Sequence, residues 1–107
     1  GAKLIAVIGH TQCGAVKGSC TGVEMGHLTG LLERIRPSVV EARAKLPGSG
    51  PQDPKLVEAA IESNVRQVMK EIRERSPLLR ESIESGRVGL VGGVYHLDSG
   101  RVVFLER

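Results

Sequence analysis

The chain has 107 residues, and 15 Lys and Arg against 12 Asp and Glu give it a formal charge of +3 at pH 7. With one Phe, one Tyr, no Trp and no clustered basic stripe, it lacks the usual features of a nucleic-acid partner. No apolar run approaches the ~20 residues that span a bilayer, which argues against a membrane partner. We expect one domain, residues 1–107, with an aliphatic core. Two cysteines without a disulfide framework are typical of a reducing compartment or a metal role, so cytoplasmic is the default location.

The first predicted element is a buried strand from Leu4 to Ile8. This unbroken apolar run is rich in β-branched residues and favours a parallel strand that is covered on both faces. Gly9 ends the predicted strand, and the small residues of Gly14–Thr21 can begin a helix. His10 and Cys13 therefore lie at the carboxyl end of the strand, where open α/β sheets bind their ligands.

His10 and Cys13 have side chains that are typical of a zinc site. Imidazole and thiolate are common zinc ligands, and the start of a helix favours the thiolate form. Zinc takes about four ligands, of which a catalytic site takes three from the protein. These two residues therefore predict half of a zinc site, with Thr11 and Gln12 between them holding the loop.

Three further residues are candidates for the missing ligand. If a helix joins Cys13 to Cys20, it separates them by roughly 10 Å, which is too far for one zinc and exceeds the roughly 7 Å Cα limit of a disulfide. We therefore interpret Cys20 as a small buried apolar residue. His27 and His96 have no ligand-like neighbour at useful spacing, and they stay open as candidates.

The middle of the chain predicts a helix and a loop. Leucine, isoleucine and valine recur at helical spacing from His27 to Ala44. Pro37 lies inside this helix, so we expect a kink or a break near Arg36. The proline- and glycine-rich segment Leu46–Pro54 is the clearest loop of the chain.

The last part of the chain predicts two helices followed by two strands. An N-cap and proline pair opens a helix at Asp53–Arg75, and Ser76 caps a shorter helix at Pro77–Ser85. Arg87–Tyr95 then predicts a second buried strand, parallel to the first because helices connect the two. After a turn, Arg101–Leu105 returns as an antiparallel edge strand.

The run G-H-T-Q-C-G-A-V, residues 9–16, is similar to the His-x-x-Cys signature of the β-class carbonic anhydrases. Further segments resemble that family in the same order, namely Gly26–Val40, Asn64–Arg66, Ser76–Leu79, Val91–Tyr95, Asp98–Gly100 and Val102–Leu105. The family also carries an earlier Cys-x-Asp-x-Arg motif, which supplies another zinc cysteine and an Asp–Arg pair, and nothing in this sequence reads that way. The chain therefore resembles the C-terminal portion of a β-class carbonic anhydrase.

The resemblance implies both a fold and an activity. The expected fold is α/β, with a mostly parallel sheet flanked by helices, a C-terminal antiparallel edge strand, and without the first strands of the family fold. The expected activity is the zinc-dependent reversible hydration of CO2 to bicarbonate by a zinc-bound hydroxide, with His10 and Cys13 as metal ligands. The catalytic Asp–Arg pair is not in this chain. One alternative is an inactive structural or oligomerisation domain, and another is a zinc enzyme that acts on carbonyl sulfide or carbon disulfide.

The missing strands also predict self-association. Without them, the strand Leu4–Ile8 has unpaired backbone groups at an apolar edge, which is a template for pairing with another chain. We expect a homodimer or a higher homo-oligomer, and the resemblance implies the same, since β-class enzymes are at least dimeric. A zinc site composed of His10 and Cys13 from two chains is a further alternative.

Overall fold

The computed structural model describes residues 1–22 and 26–105. Within that part, no helix is both long enough and apolar enough to cross a membrane. The elements follow one another as β1 (Leu4–His10), α1 (Gly14–Thr21), a 3₁₀ turn (Gly26–Leu28), α2 (Thr29–Lys45), α3 (Pro54–Arg75), α4 (Pro77–Glu84), β2 (Gly89–His96) and β3 (Arg101–Phe104).

The described strands form one sheet in the order β1-β2-β3. β1 and β2 are parallel, with Ile5 opposite Leu90, and β2 and β3 are antiparallel, with Tyr95 opposite Val102. The parallel pair and the antiparallel edge strand confirm the predicted topology. The helices between β1 and β2 provide the long crossover that a parallel pair requires.

The core lies between the helices and one face of the sheet. α3 packs against α1, α2 and both parallel strands, so it is the central helix of the fold. The buried residues are aliphatic or small, as the scarcity of aromatic residues predicts. The main cluster comes from the first three helices and comprises Val16, Cys20, Ile35, Val39, Ala42, Leu56, Val57, Ala60 and Ile61. Leu90 of β2 is also fully buried.

β1 is less buried than its sequence predicts. Its residues alternate between exposed and half-buried, and Leu4 and Ile8 are 58% and 45% exposed. A Cβ atom at Gly9 would lie 2.9 Å from Val65 Cγ2, so the other set of residues faces α3. The predicted coverage of both faces is therefore wrong for this chain, because α3 covers one face of β1 and no described element covers the other.

Of the kink or break predicted near Arg36, the break does not occur. α2 runs continuously from Thr29 to Lys45 with Pro37 inside it, and Pro37 lies on the exposed side of the helix. The predicted start at His27 is also two residues early, because Gly26–Leu28 forms a 3₁₀ turn before α2 begins.

The helix caps agree with their sequence signals. The Asp53 carboxylate accepts a hydrogen bond of 2.9 Å from the Lys55 N–H, and the Ser76 hydroxyl accepts one of 3.2 Å from the Leu79 N–H. Gly86 follows α4 in the left-handed region with a φ of 81°. The boundaries of α3 and α4 were therefore readable from local chemistry, to within one residue for α4.

Candidate functional site

His10 and Cys13 lie where the sequence places them, at the carboxyl end of β1. His10 is the last residue of that strand, two residues beyond the predicted last residue Ile8, and its side chain is exposed. Cys13 is the N-cap of α1 and is half-buried against the core. The loop that joins the strand to the helix therefore contains one imidazole and one thiol.

The His10 ring has a defined hydrogen-bond partner. Its Nδ1 atom lies 3.0 Å from the carbonyl oxygen of Thr11. Because a carbonyl oxygen can only accept, Nδ1 must donate, and in the neutral ring the lone pair is then on Nε2. Metal-binding histidines are commonly held this way, through their second nitrogen. His10 can therefore offer Nε2 to a metal ion.

Thr11 connects this loop to the end of β2. Its N–H donates a hydrogen bond of 2.9 Å to the Tyr95 carbonyl oxygen, and its hydroxyl accepts one of 3.0 Å from the Leu97 N–H. The next residue, Gln12, has a φ of 56°, in the left-handed region that non-glycine residues rarely adopt. The turn between His10 and Cys13 is therefore tightly determined.

The candidates for a further metal ligand are dispersed. Cys20 is in the core, His27 is exposed in the 3₁₀ turn, and His96 ends β2. Over residues 1–22 and 26–105, no group of three or more His, Cys, Asp or Glu side chains is arranged to hold a metal ion. No third ligand is thus arranged with His10 and Cys13 among the described residues.

Cys20 is the small buried residue that the sequence predicts. It is 2% exposed, and neither cysteine forms a disulfide. Burial raises the pKa of its thiol above the ordinary value of 9.0, and the positive charge of Arg43 opposes part of that rise. The Arg43 guanidinium also donates a 2.7 Å hydrogen bond to the Cys20 carbonyl oxygen.

We expect Cys20→Ala to destabilise the fold less at about pH 10 than at about pH 7. When the pH lies between the pKa of this thiol in the unfolded chain and its higher pKa in the folded chain, the unfolded chain has released the thiol proton and the folded chain has kept it. The wild-type free energy of unfolding therefore falls as the pH rises through about 9, whereas the alanine variant lacks this loss. The measurement is urea unfolding of both proteins at the two pH values. The difference in free energy of unfolding between wild type and variant removes the contribution of other titrating groups, which is common to both. A difference in stability that is the same at both pH values would contradict the prediction.

A cleft of about 750 Å³ opens beside the same loop. Its lining comes from segments that are far apart in the sequence, and it includes Thr11, Gln12, Lys17, Pro51, Gln52, Pro54, Glu58, His96 and Asp98. Sequence reasoning missed this cleft, because no local pattern shows that the loop before α3 lies next to the end of β1. His10 and Cys13 are outside the lining.

The family profile described as carbonic anhydrase matches residues 1–102. The chain belongs to the carbonic anhydrase family. This finding confirms the resemblance that the His-x-x-Cys run and the later segments carry. Carbonic anhydrase 2 of Mycobacterium tuberculosis is 31% identical over 108 residues, which cover 96% of this chain and 49% of that protein. A carbonic anhydrase of Mycolicibacterium smegmatis is 30% identical over 104 residues, covering 92% and 47%. This carbonic anhydrase chain thus spans about half the length of these curated relatives.

Solved structures give this carbonic anhydrase chain its class. It is similar to the β-carbonic anhydrase CafA of Aspergillus fumigatus, with 28% identity and a TM-score of 0.79, over 97% of this chain and 49% of that one. A second likeness, to a structure titled as two tetrameric β-carbonic anhydrases from Sordaria macrospora, has 18% identity and a TM-score of 0.77, over 98% and 53%. Because the sequence identity to the Sordaria macrospora structure is only 18%, this similarity is evidence for the fold alone. The predicted α/β fold of a β-class carbonic anhydrase is confirmed.

Proposed function

We propose that this chain contributes His10 and Cys13 to the zinc site of an enzyme that reversibly hydrates CO2 to bicarbonate. The observation that supports the proposal best is the fixed His10 ring, which keeps Nε2 available three residues before a cysteine at the start of a helix. Nitrogen and sulfur donors of this kind suit zinc. When bound, zinc activates a water molecule for attack on CO2.

The residues of this chain would bind and orient the metal. His10 would bind through Nε2 while the Thr11 carbonyl holds Nδ1. Cys13 would bind as the thiolate, so its proton is released when the metal enters. The remaining thiolate and the Asp–Arg pair that the family resemblance implies would come from sequence outside this chain. The cleft beside the loop leaves room for a small substrate to approach.

The test is the zinc content of the purified chain and of a His10→Ala, Cys13→Ala double variant. We expect any zinc bound by the wild type to be lost in the double variant, because His10 and Cys13 are both donors; about one zinc per chain in the wild type would mean that a further ligand is present, since a site needs at least three from protein. His27→Ala is the matched control, since His27 is an exposed histidine outside the loop. About half a zinc per chain would indicate a site shared by two chains.

The same samples separate the enzyme from the alternatives. Hydration of CO2, followed by stopped-flow pH indicator, is expected only from zinc-loaded protein and should be lost in the double variant. A chain that binds no zinc, or binds it without hydrating CO2, would instead be an inactive structural or oligomerisation domain. This inactive alternative has some support, because no third ligand is arranged with His10 and Cys13 among the described residues. Turnover of carbonyl sulfide and carbon disulfide in place of CO2 would identify the third alternative.

We also propose that the chain forms a homo-oligomer through β1. This strand lies at the edge of the sheet and has an exposed apolar side, which together favour pairing with a second copy. The Sordaria macrospora structures are titled as tetrameric. Light scattering should give at least twice the chain mass of 11.4 kDa.

Two substitutions test the role of β1 in this assembly. Ile8→Glu places a charge on the exposed side of β1, where the native residue is 45% exposed, and should shift the protein toward monomer. Val40→Glu changes an apolar residue that is 61% exposed on α2, and it should leave the mass unchanged. A wild-type chain that stays monomeric at high concentration would contradict the proposal.

A further inference from the structure

We infer that Thr11 is the positioning residue for His10, an inference that rests on the proposed zinc site. Three groups of Thr11 form hydrogen bonds: its N–H, its hydroxyl and its carbonyl oxygen. Its N–H donates to the Tyr95 carbonyl oxygen at 2.9 Å, its hydroxyl accepts from the Leu97 N–H at 3.0 Å, and its carbonyl accepts from His10 Nδ1 at 3.0 Å. One residue therefore joins the metal loop, the end of β2 and the imidazole.

The hydroxyl bond is the one that extends beyond the strand pairing. The Thr11 N–H continues the hydrogen bonding of β1 and β2 by one step, as any residue except proline can do. The bond from the Leu97 N–H uses the side-chain hydroxyl as its acceptor, and it connects residues that are 86 positions apart. The side chain of Thr11 thus holds the loop against the turn that follows β2.

The backbone conformation after Thr11 explains why the hydrogen bond between its hydroxyl and the Leu97 N–H matters. Gln12 is held at a φ of 56°, and such a conformation persists only where its surroundings determine it strongly. On the other side of Gln12, the Cys13 carbonyl accepts the Lys17 N–H at 2.9 Å in the first turn of α1. The strained residue therefore lies between two attachments, the Thr11 bonds and the start of a helix.

The consequence for His10 concerns its tautomer and its direction. The carbonyl that accepts the Nδ1 hydrogen belongs to Thr11, so its direction depends on the peptide plane that Thr11 and Gln12 share. When that plane is held, the ring keeps its hydrogen on Nδ1 and presents Nε2 in one direction. If the loop relaxes, both features are lost, and ligand positioning of this kind typically affects metal affinity by about 10–100-fold.

The test compares Thr11→Val with Thr11→Ser. Valine keeps the shape of threonine and removes the hydroxyl, whereas serine keeps the hydroxyl. The Leu97 N–H belongs to an exposed hydrogen bond, so water can replace the lost acceptor and the variant should fold. Thr21→Val is the matched control, because the Thr21 hydroxyl donates to the Gly18 carbonyl oxygen of its own helix and does not hold the loop.

Two readouts are measured on the full chain. Long-range ¹H–¹⁵N NMR of the metal-free protein reports the His10 tautomer, and competition with a chelator reports zinc affinity. We expect Thr11→Val to lose the uniform Nδ1–H tautomer and to bind zinc about 10-fold more weakly. Thr11→Ser and Thr21→Val should match the wild type in both measurements.

The outcomes distinguish this inference from the proposed function. If the wild-type chain binds no zinc, the proposed site fails, while the tautomer measurement still decides the role of Thr11. The inference is overturned if Thr11→Val keeps the wild-type tautomer, if the wild type lacks the Nδ1–H form, or if Thr11→Ser behaves like Thr11→Val. It is also overturned if the valine variant changes tautomer but binds zinc with unchanged affinity.

Discussion

Replacing Leu56 with alanine is expected to lower the free energy of unfolding by about 2–5 kcal/mol. Leu56 is 0% exposed and belongs to the core where α1, α2 and α3 meet. Truncation removes buried methyl groups and leaves a cavity, which three packed helices can fill only in part. The measurement is urea unfolding at one fixed protein concentration, since self-association would add to the apparent stability.

A leucine on the surface provides the control for this prediction. Leu78 lies on α4 and is 74% exposed, so Leu78→Ala should change the free energy of unfolding by less than about 0.5 kcal/mol. Both variants delete the same atoms from a helix, and they differ only in burial. Equal losses for the two variants would mean that Leu56 is not in the core of the folded chain.

Replacing Gly92 with alanine is expected to destabilise the fold by about 1–3 kcal/mol. Gly92 is buried on β2, and a Cβ atom there would lie 2.5 Å from Met69 Sδ and 2.9 Å from Val65 Cγ1. The methionine side chain is flexible and can move away. Val65 is 3% exposed and has a short branched side chain, so α3 itself must shift from the sheet.

The glycine prediction has both a control and a rescue. Gly30 lies in the first turn of α2, and among the described residues a Cβ there would meet no atom within 4 Å apart from its chain neighbours and its own helix backbone, so Gly30→Ala should not destabilise the fold and should stabilise it by at most about 0.5–1 kcal/mol. Adding Met69→Ala to Gly92→Ala removes one of the two close contacts, and the coupling in a double-mutant cycle should be favourable. Far-UV circular dichroism during urea unfolding gives all of these values. A stabilising effect of Gly92→Ala would show that β2 and α3 are further apart than described.

Local sequence signals explain why much of the fold was predictable. Asp53 and Ser76 each accept a backbone hydrogen bond from a residue two or three positions later, so the starts of α3 and α4 depend on neighbours in sequence. The apolar period of the helices and the apolar run of β1 are local in the same sense. His10 and Cys13 were also found locally, because their residue types and spacing predict a metal loop after a strand.

The rest of the site depends on residues that no local pattern connects. The hydroxyl of Thr11 accepts its hydrogen bond from the Leu97 N–H, and the cleft is lined by residues of separate segments, among them Lys17, Glu58 and His96. The position of Gln12 in the left-handed region follows from the same packing, since nothing in its residue type favours it. Sequence therefore predicted which side chains the loop carries, but it did not predict what holds them.

The order of helices and strands was thus predictable from the chain, as were the family and the two candidate metal ligands, because each depends on residues that are near in sequence or on a short motif. Three features depended on packing instead: β1 has one exposed face, α2 continues through Pro37, and Thr11 bonds to the turn after β2. The physical reason is that burial and hydrogen bonding depend on which distant segments are adjacent. An apolar run such as Leu4–Ile8 has the same local preference whether or not another element covers it.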